Sequence, residues 1–237
     1  MRKINHFING EEYLSQSNRS GDVYNPALGE KIAEVSFAND DDVEQAIMSA
    51  KTAFSSWSKT PPLTRSRILF KFKELLIRDM DKLAAQVTEE HGKVLSDSIG
   101  SITRGMEVVE FMCGVPHLIK GEFSENVGSN IDSWSLRQPL GICVGITPFN
   151  FPAMVPMWMF VVAIACGNCF ILKPSEKDPS LLIVLGDLLK EAGLPDGVFN
   201  VINGDKEAVD LLITDPAVDS VSFVGSTPVA EYIYHTS

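Results

Sequence analysis

The sequence contains little positive charge, few cysteines and no apolar run long enough to cross a bilayer. Its 20 lysine and arginine residues face 31 acids, which gives a formal net charge of −11 over 237 residues. An acidic surface argues against partners such as nucleic acids or anionic membranes, because both require a basic surface. The apolar run 153–166 is too short for a membrane span and contains Pro156, so it predicts a core helix.

The four cysteines all lie in apolar or helical contexts. We expect no signal peptide, because no apolar segment follows the basic start of the chain, and we therefore expect reduced thiols and a cytoplasmic location. Cys166 and Cys169 have the CxxC spacing, but a single CxxC without a second ligand pair does not indicate a redox or zinc site. We interpret both as small buried apolar residues and expect no metal.

The sequence also lacks GxGxxG, the usual fingerprint of a dinucleotide-binding fold. From Leu140 onward, however, predicted strands and helices alternate. The predicted strands are 142–146, 170–173, 198–202 and 220–224, and the predicted helices are 153–166, 179–192 and 206–213. This alternation predicts an α/β fold with a Rossmann-like parallel sheet, flanking helices and right-handed crossovers.

The first 138 residues predict a different organisation. Asn9-Gly10 indicates a hairpin turn, and Asn39 can cap a helix whose apolar face includes Val43 and Phe54 and which Pro61-Pro62 breaks. Further helices are predicted from Leu63 to Met80, from a cap at Asp81 to Gly92, and from Lys93 to Ile119. Residues 121–138 are polar and glycine-containing, so we interpret them as a two-stranded excursion from the main body.

Two predicted strand ends carry residues suited to a dinucleotide. Lys173 and Glu176 could hold the two hydroxyls of a ribose, and the carboxylate would repel a ribose phosphate, which favours NAD over NADP. The alternative is an ordinary surface Lys–Glu pair. Gly225 and Ser226 follow the last strand, where backbone amides and a hydroxyl could face a pyrophosphate, although a plain strand–helix turn remains an alternative.

Asn150 lies between two prolines in the segment Pro148-Phe149-Asn150-Phe151-Pro152. Prolines stiffen this loop, so the side-chain amide could donate a hydrogen bond to a developing oxyanion. The alternative is a turn asparagine that bonds to its own backbone.

Three motifs in this order, TPFNFP (147–152), KPSE (173–176) and FVGST (223–227), resemble the aldehyde dehydrogenase superfamily over essentially the whole chain. The segments 156–160 and 231–235 are most similar to its CoA-acylating branch, which acts on methylmalonate semialdehyde with NAD and CoA. The resemblance implies that residues 1–120 belong to the NAD-binding domain, that 121–138 form a β-arm for homo-oligomerisation, and that 139–237 form the parallel NAD-binding region.

The resemblance also implies roles for individual residues. Asn150 would stabilise the oxyanion of a thiohemiacetal formed on a catalytic cysteine, and Arg104 would hold the substrate carboxylate through a bidentate contact. An exposed helix arginine is the alternative for Arg104. The implied cofactor-binding residues are Thr147, Phe149, Lys173, Glu176, Lys177, Gly225 and Ser226.

The chain departs from the family pattern in two ways. Ala230 stands where the pattern has a second glycine, and no cysteine lies in a glycine-rich loop beside a candidate base. We therefore expect the N-terminal part of a longer enzyme, inactive by itself. The alternative is a catalytically silent NAD-binding or oligomerisation module.

Overall fold

The computed structural model describes all residues from Met1 to Ser237 as eleven strands and nine helices. The strands are β1 (Arg2–Ile4), β2 (His6–Ile8), β3 (Glu11–Tyr13), β4 (Ser20–Asn25), β5 (Glu30–Ser36), β6 (Phe123–Gly128), β7 (Ile131–Trp134), β8 (Ile142–Ile146), β9 (Cys169–Lys173), β10 (Phe199–Val201) and β11 (Val218–Phe223). The helices are α1 (Asp40–Trp57), α2 (Pro62–Arg78), α3 (Met80–His91), α4 (Leu95–Met112), α5 (Val115–Leu118), α6 (Met154–Ala165), α7 (Ser180–Glu191), α8 (Lys206–Ile213) and α9 (Thr227–Thr236).

The central sheet has six strands in the order β11-β8-β9-β10-β2-β3. The first four are parallel, whereas β2 and β3 are antiparallel additions at one edge. The connections through α6 and α7 advance in one direction along the sheet, and the connection through α8 returns in the other. Right-handed crossovers therefore put α6 and α7 on one face and α8 on the opposite face. Helix α1 packs with α8, and α4 packs on α6.

The strands β8 and β9 are buried along their whole length, as expected for parallel strands covered by helices on both faces. They belong to a hydrophobic core of 49 buried residues that draws on α1, α2 and α4 as well as on the later α/β region. One long-range contact joins these parts, because the indole N–H of the buried Trp57 donates to the carbonyl oxygen of Ile164 at 3.2 Å. A smaller cluster fills the separate three-stranded sheet β1-β5-β4.

The predicted parallel sheet with flanking helices is confirmed, and so is the two-stranded excursion, which is the hairpin β6-β7. The Asn9-Gly10 hairpin turn joins β2 to β3, with φ values of 55° and 77° at these two residues. Asn39 caps α1 in a capping box with Asp42. Gly92 ends α3 in the left-handed conformation, with φ 83°.

Two helix predictions were wrong. The helix predicted from Lys93 to Ile119 is broken, because α4 ends at Met112 and α5 starts at Val115. Pro116 explains the break, since in a continued helix its ring would clash with the carbonyl of Met112. Asp81 does not cap α3 but lies within its first turn, and the N-cap position is occupied by Asp79.

The hairpin β6-β7 extends from the rest of the chain, and its residues are almost all exposed. Its large apolar side chains Phe123, Ile131 and Trp134 are among those exposed. None of the nine helices combines the length and the hydropathy that a membrane span requires.

Candidate functional site

Three parallel strands end side by side and deliver the candidate residues to one edge of the sheet. Phe223 pairs with Ile146, and Ile146 pairs with Lys173. The first residue beyond each strand continues this row, because the amide of Val224 donates to Ile146 and that of Thr147 donates to Lys173, at 3.2 Å and 3.1 Å. The loops after β11, β8 and β9 therefore leave the same edge, where ligands bind in open parallel sheets.

Asn150 lies on the loop after β8 and lines a cleft of about 560 Å³. Its side-chain amide is exposed and makes no hydrogen bond, so the alternative of an asparagine bonded to its own backbone does not hold. Only its main-chain carbonyl is engaged, by the ammonium of Lys93 at 3.1 Å. The amide is therefore free to donate to a ligand in the cleft.

Arg104 lies on α4 and lines the same cleft as Asn150. Its guanidinium is exposed and forms no ion pair with any acid of the chain. The cleft thus combines an unpaired guanidinium and an unpaired amide donor on two walls. Such a pair suits a small molecule that has a carboxylate at one end and a carbonyl oxygen at the other.

The pair formed by Lys173 and Glu176 is not an ordinary surface pair. Lys173 is 6% exposed, and its ammonium lies 3.4 Å from the carboxylate of Glu176. Burial lowers the pKa of Lys173, and the charge of Glu176 opposes this change. A desolvated ammonium beside a partly exposed carboxylate can serve two neighbouring hydroxyls, because the first donates hydrogen bonds and the second accepts them.

Phe149 and Lys177 form a second contact near this pair, with the Lys177 ammonium 4.6 Å from the centre of the Phe149 ring. Both residues and Glu176 line a further cleft of about 460 Å³. Thr147 is buried at the end of β8, and its hydroxyl has no hydrogen-bond partner. The structure therefore brings Phe149, Glu176 and Lys177 together and leaves Thr147 behind them.

Gly225 and Ser226 lie at the start of α9 and are exposed. Ser226 occupies the N-cap position, but its hydroxyl makes no capping bond. The first backbone amides of α9 also lack partners within the helix, and Pro228 has no amide N–H at all. This turn can accept an anion through its free amides and a free hydroxyl.

Sequence reasoning missed a group of titratable residues behind Asn150. These residues are Glu90, His91, Lys93 and Asp178, which come from the end of α3, the turn after it and the loop after β9. His91 and Lys93 line the same cleft as Asn150. Asp178 is 3% exposed, and neither of its carboxylate oxygens has a hydrogen-bond partner. Burial, together with the charge of Glu90, raises the pKa of Asp178 to about 8, against the opposing effects of the Lys93 charge and the Ser175 hydroxyl. Local sequence contains no signal for this group, because only tertiary contacts assemble it.

All four cysteines are free thiols, and three of them are buried. Burial raises the pKa of Cys143 to about 11 and that of Cys169 to about 12. Burial also raises the pKa of Cys113 and Cys166. Because the thiolate is the nucleophile, none of these cysteines is activated for covalent catalysis.

A sequence model described as the aldehyde dehydrogenase family matches residues 13–237 of this chain. The chain belongs to the aldehyde dehydrogenase family. It is similar to the malonate-semialdehyde dehydrogenase of Pseudomonas aeruginosa, with 53% identity over 234 residues that cover 99% of this chain and 47% of that protein. It is also similar to the mitochondrial, acylating methylmalonate-semialdehyde dehydrogenase of Arabidopsis thaliana, at 48% identity over 98% of this chain and 38% of that protein.

Solved aldehyde dehydrogenase structures give the same picture. A structure described as a methylmalonate-semialdehyde dehydrogenase of Sinorhizobium meliloti 1021, complexed with NAD, matches with a TM-score of 0.98 and 53% identity, covering 100% of this chain and 48% of that one. The methylmalonate-semialdehyde dehydrogenase of Oceanimonas doudoroffii matches with a TM-score of 0.97 and 57% identity over the same shares. This aldehyde dehydrogenase chain therefore spans about half the length of the relatives it matches.

Proposed function

We propose that this chain forms the NAD-binding part of a CoA-acylating aldehyde dehydrogenase that oxidises malonate or methylmalonate semialdehyde to the acyl-CoA. The observation that carries the proposal is the single cleft shared by Asn150 and Arg104. The names of the similar proteins from Pseudomonas aeruginosa and Arabidopsis thaliana support this substrate class. A semialdehyde acid has a carboxylate for the guanidinium and an aldehyde oxygen for the amide.

The residues at the strand ends fit NAD. The buried Lys173 and its partner Glu176 offer a donor and an acceptor to the hydroxyls of the adenosine ribose, and Lys177 flanks them. Gly225 and Ser226 would face the pyrophosphate at the start of α9, and Phe149 would line the cofactor cleft, with the buried Thr147 behind it. When bound, NAD supplies the hydride acceptor. Glu176 repels a phosphate on the ribose, which favours NAD over NADP.

In the proposed mechanism, Arg104 orients the substrate through its carboxylate, and the Asn150 amide donates to the aldehyde oxygen. The amide donor contributes most when negative charge develops on that oxygen, because it is already in place and needs no reorganisation. The nucleophilic thiol must come from outside these 237 residues, since the four thiols of this chain are disfavoured as thiolates. CoA would then accept the acyl group as a thioester.

A chimera tests this proposal. In it, residues 1–237 replace the matched segment of the Pseudomonas aeruginosa malonate-semialdehyde dehydrogenase, and NADH formation is measured with malonate semialdehyde and CoA. Asn150→Ala should lower kcat by about 100-fold or more, as expected for an oxyanion donor. Arg104→Met should lower kcat/KM for the semialdehyde acid but not for a neutral aldehyde, whereas the exposed Arg67→Met serves as the matched control. Equal losses with acid and neutral aldehydes would contradict the role of Arg104.

A second function is favoured by the buried thiols, namely a catalytically silent module that binds NAD or assembles with other subunits. For assembly, the exposed apolar side chains of the hairpin β6-β7 are the natural contact surface. We also propose that residues 1–120 and 139–237 build one NAD-binding region and that residues 121–138 form the oligomerisation arm. The proposed location is the cytoplasm, because free thiols suit a reducing compartment. Light scattering of the chain and of Trp134→Ser would show a homo-oligomer that the variant weakens.

A further inference from the structure

Lys93 holds an unusual position beside the proposed oxyanion donor. Gly92 ends α3 with a left-handed backbone, and α4 begins at Leu95, so Lys93 lies in the tight turn between two helices. From this turn its ammonium reaches across 57 positions of sequence to the main-chain carbonyl of Asn150, at 3.1 Å. The same ammonium lies 4.9 Å from the centre of the Phe151 ring.

The contact matters because the loop after β8 is otherwise weakly tied to the fold. Its first residue, Thr147, is anchored to Lys173 through the backbone, and its far end joins α6, where the amide of Val155 donates to Phe151. Between these anchors, residues 148–150 are tied to other elements through the main chain of Asn150, whose carbonyl accepts the bond from Lys93 and which also interacts with the imidazole of His91. The direction of the Asn150 amide therefore depends in part on the Lys93 ammonium, which comes from the turn between α3 and α4.

The ammonium is itself held in place by charge. Burial lowers the pKa of Lys93, and the charges of Asp178 and Asp97 oppose this change. While Asp178 keeps its proton, Asp97 is the acid that opposes the cost of burying this cation next to the cleft, and Asp178 adds to this effect above about pH 8.

We propose that Lys93 is a positioning residue of the site, whose ammonium fixes the main chain of Asn150 so that the side-chain amide points into the cleft. This inference rests on the proposed function, because that function makes the Asn150 amide the oxyanion donor. Lys93 lines the same cleft as Asn150 and Arg104, and its hydrogen bond in this arrangement is to the main-chain carbonyl of Asn150. It acts through the main chain of Asn150, and the charge of Asp97 favours its ammonium form.

The first test uses the full chain with 15N-labelled asparagine, and Asn150→Asp assigns the Asn150 signals. In the wild type, the backbone order parameter of Asn150 should be near the rigid value of about 0.85, and in Lys93→Met it should fall below about 0.6. Lys93→Arg, which keeps a charged donor, should restore most of the order. Lys71→Met removes an exposed lysine paired only with Glu74 and should change nothing. If Lys93→Met fails to fold, Lys93→Gln takes its place.

An unchanged order parameter in a folded Lys93→Met chain would overturn the proposal. The second arm measures the same variants in the chimera, where kcat should fall about tenfold or more in Lys93→Met, with KM for NAD unchanged and with rescue by arginine. A fall that arginine does not rescue, or one confined to KM for NAD, would also count against it. If the chimera with wild-type residues 1–237 is inactive, the proposed function is refuted. The order parameter of Asn150 decides separately whether Lys93 fixes the main chain of Asn150.

Discussion

Replacing Asp178 by asparagine should stabilise the chain, and the gain should grow as the pH rises. The side chain is 3% exposed, and neither oxygen has a hydrogen-bond partner. Burial raises its pKa from an ordinary 3.8 to about 8. Between these two values the folded chain keeps the proton that the unfolded chain releases, so rising pH favours unfolding of the wild type. An asparagine is neutral throughout and has no such dependence.

The magnitude follows from the two pKa values. For each pH unit between them, the free energy of unfolding of the wild type falls by at most about 1.4 kcal/mol relative to that of the variant. Between pH 5 and pH 8 the largest possible difference is therefore about 4 kcal/mol. We expect about 2 kcal/mol, because the interior relaxes around an ionised acid and lowers the cost of its charge. Below pH 4 the two proteins should differ little, and above pH 8 the difference should level off.

Urea unfolding at pH 5 to 9 provides the measurement, followed by tryptophan fluorescence, to which Trp57 contributes as a buried, hydrogen-bonded indole. The difference between the two stability curves reports Asp178 together with its electrostatic coupling to Glu90 and Lys93. Parallel curves across this pH range would refute the reasoning. So would a variant that becomes less stable than the wild type at pH 8.

Three further outcomes are expected. Gly92→Ala should cost about 1 kcal/mol or more in urea unfolding, because a non-glycine residue is strained at φ 83° and the new methyl would meet the Pro26 ring at 2.6 Å; an unchanged midpoint would argue against this. The thiols should be alkylated by iodoacetamide at pH 8 far more slowly than free cysteine, and rapid labelling of Cys143 or Cys169 in the intact mass would contradict their burial. In the chimera, Glu176→Gln should shift the preference from NAD towards NADP by about tenfold in kcat/KM, and a constant ratio would remove Glu176 from the ribose site.

The parallel strands could be predicted because their signal is local. Five consecutive apolar residues at 142–146 have no polar face to expose, and the structure has β8 at these bounds. The helix Lys206–Ile213 also starts and ends where its periodicity indicated. Helix ends were less predictable where two signals competed. The apolar periodicity continues past Met112, yet Pro116 prevents the helix from following it.

The candidate site also contains some residues that could be predicted from the sequence and others that could not. Residues at strand ends could be predicted as neighbours, because parallel strands in register bring their carboxyl ends together. Lys93 and Asp178 could not be predicted, since each depends on the packing of α3 and α4 against the loops of the sheet. The burial of Lys173 was equally hidden, because a sequence gives no sign that a lysine before a proline is covered by other elements.

The row of strand ends has a consequence for how this site can change. The bonds that tie the loop after β8 to β9, and the start of the loop after β11 to β8, join only main-chain atoms. Apart from proline, no substitution at Val224 or Thr147 removes these donors. The position of the loops is therefore separable from the side chains they carry. Side chains in the loops can therefore be exchanged by substitution while the sheet keeps the new ones at the same spacing.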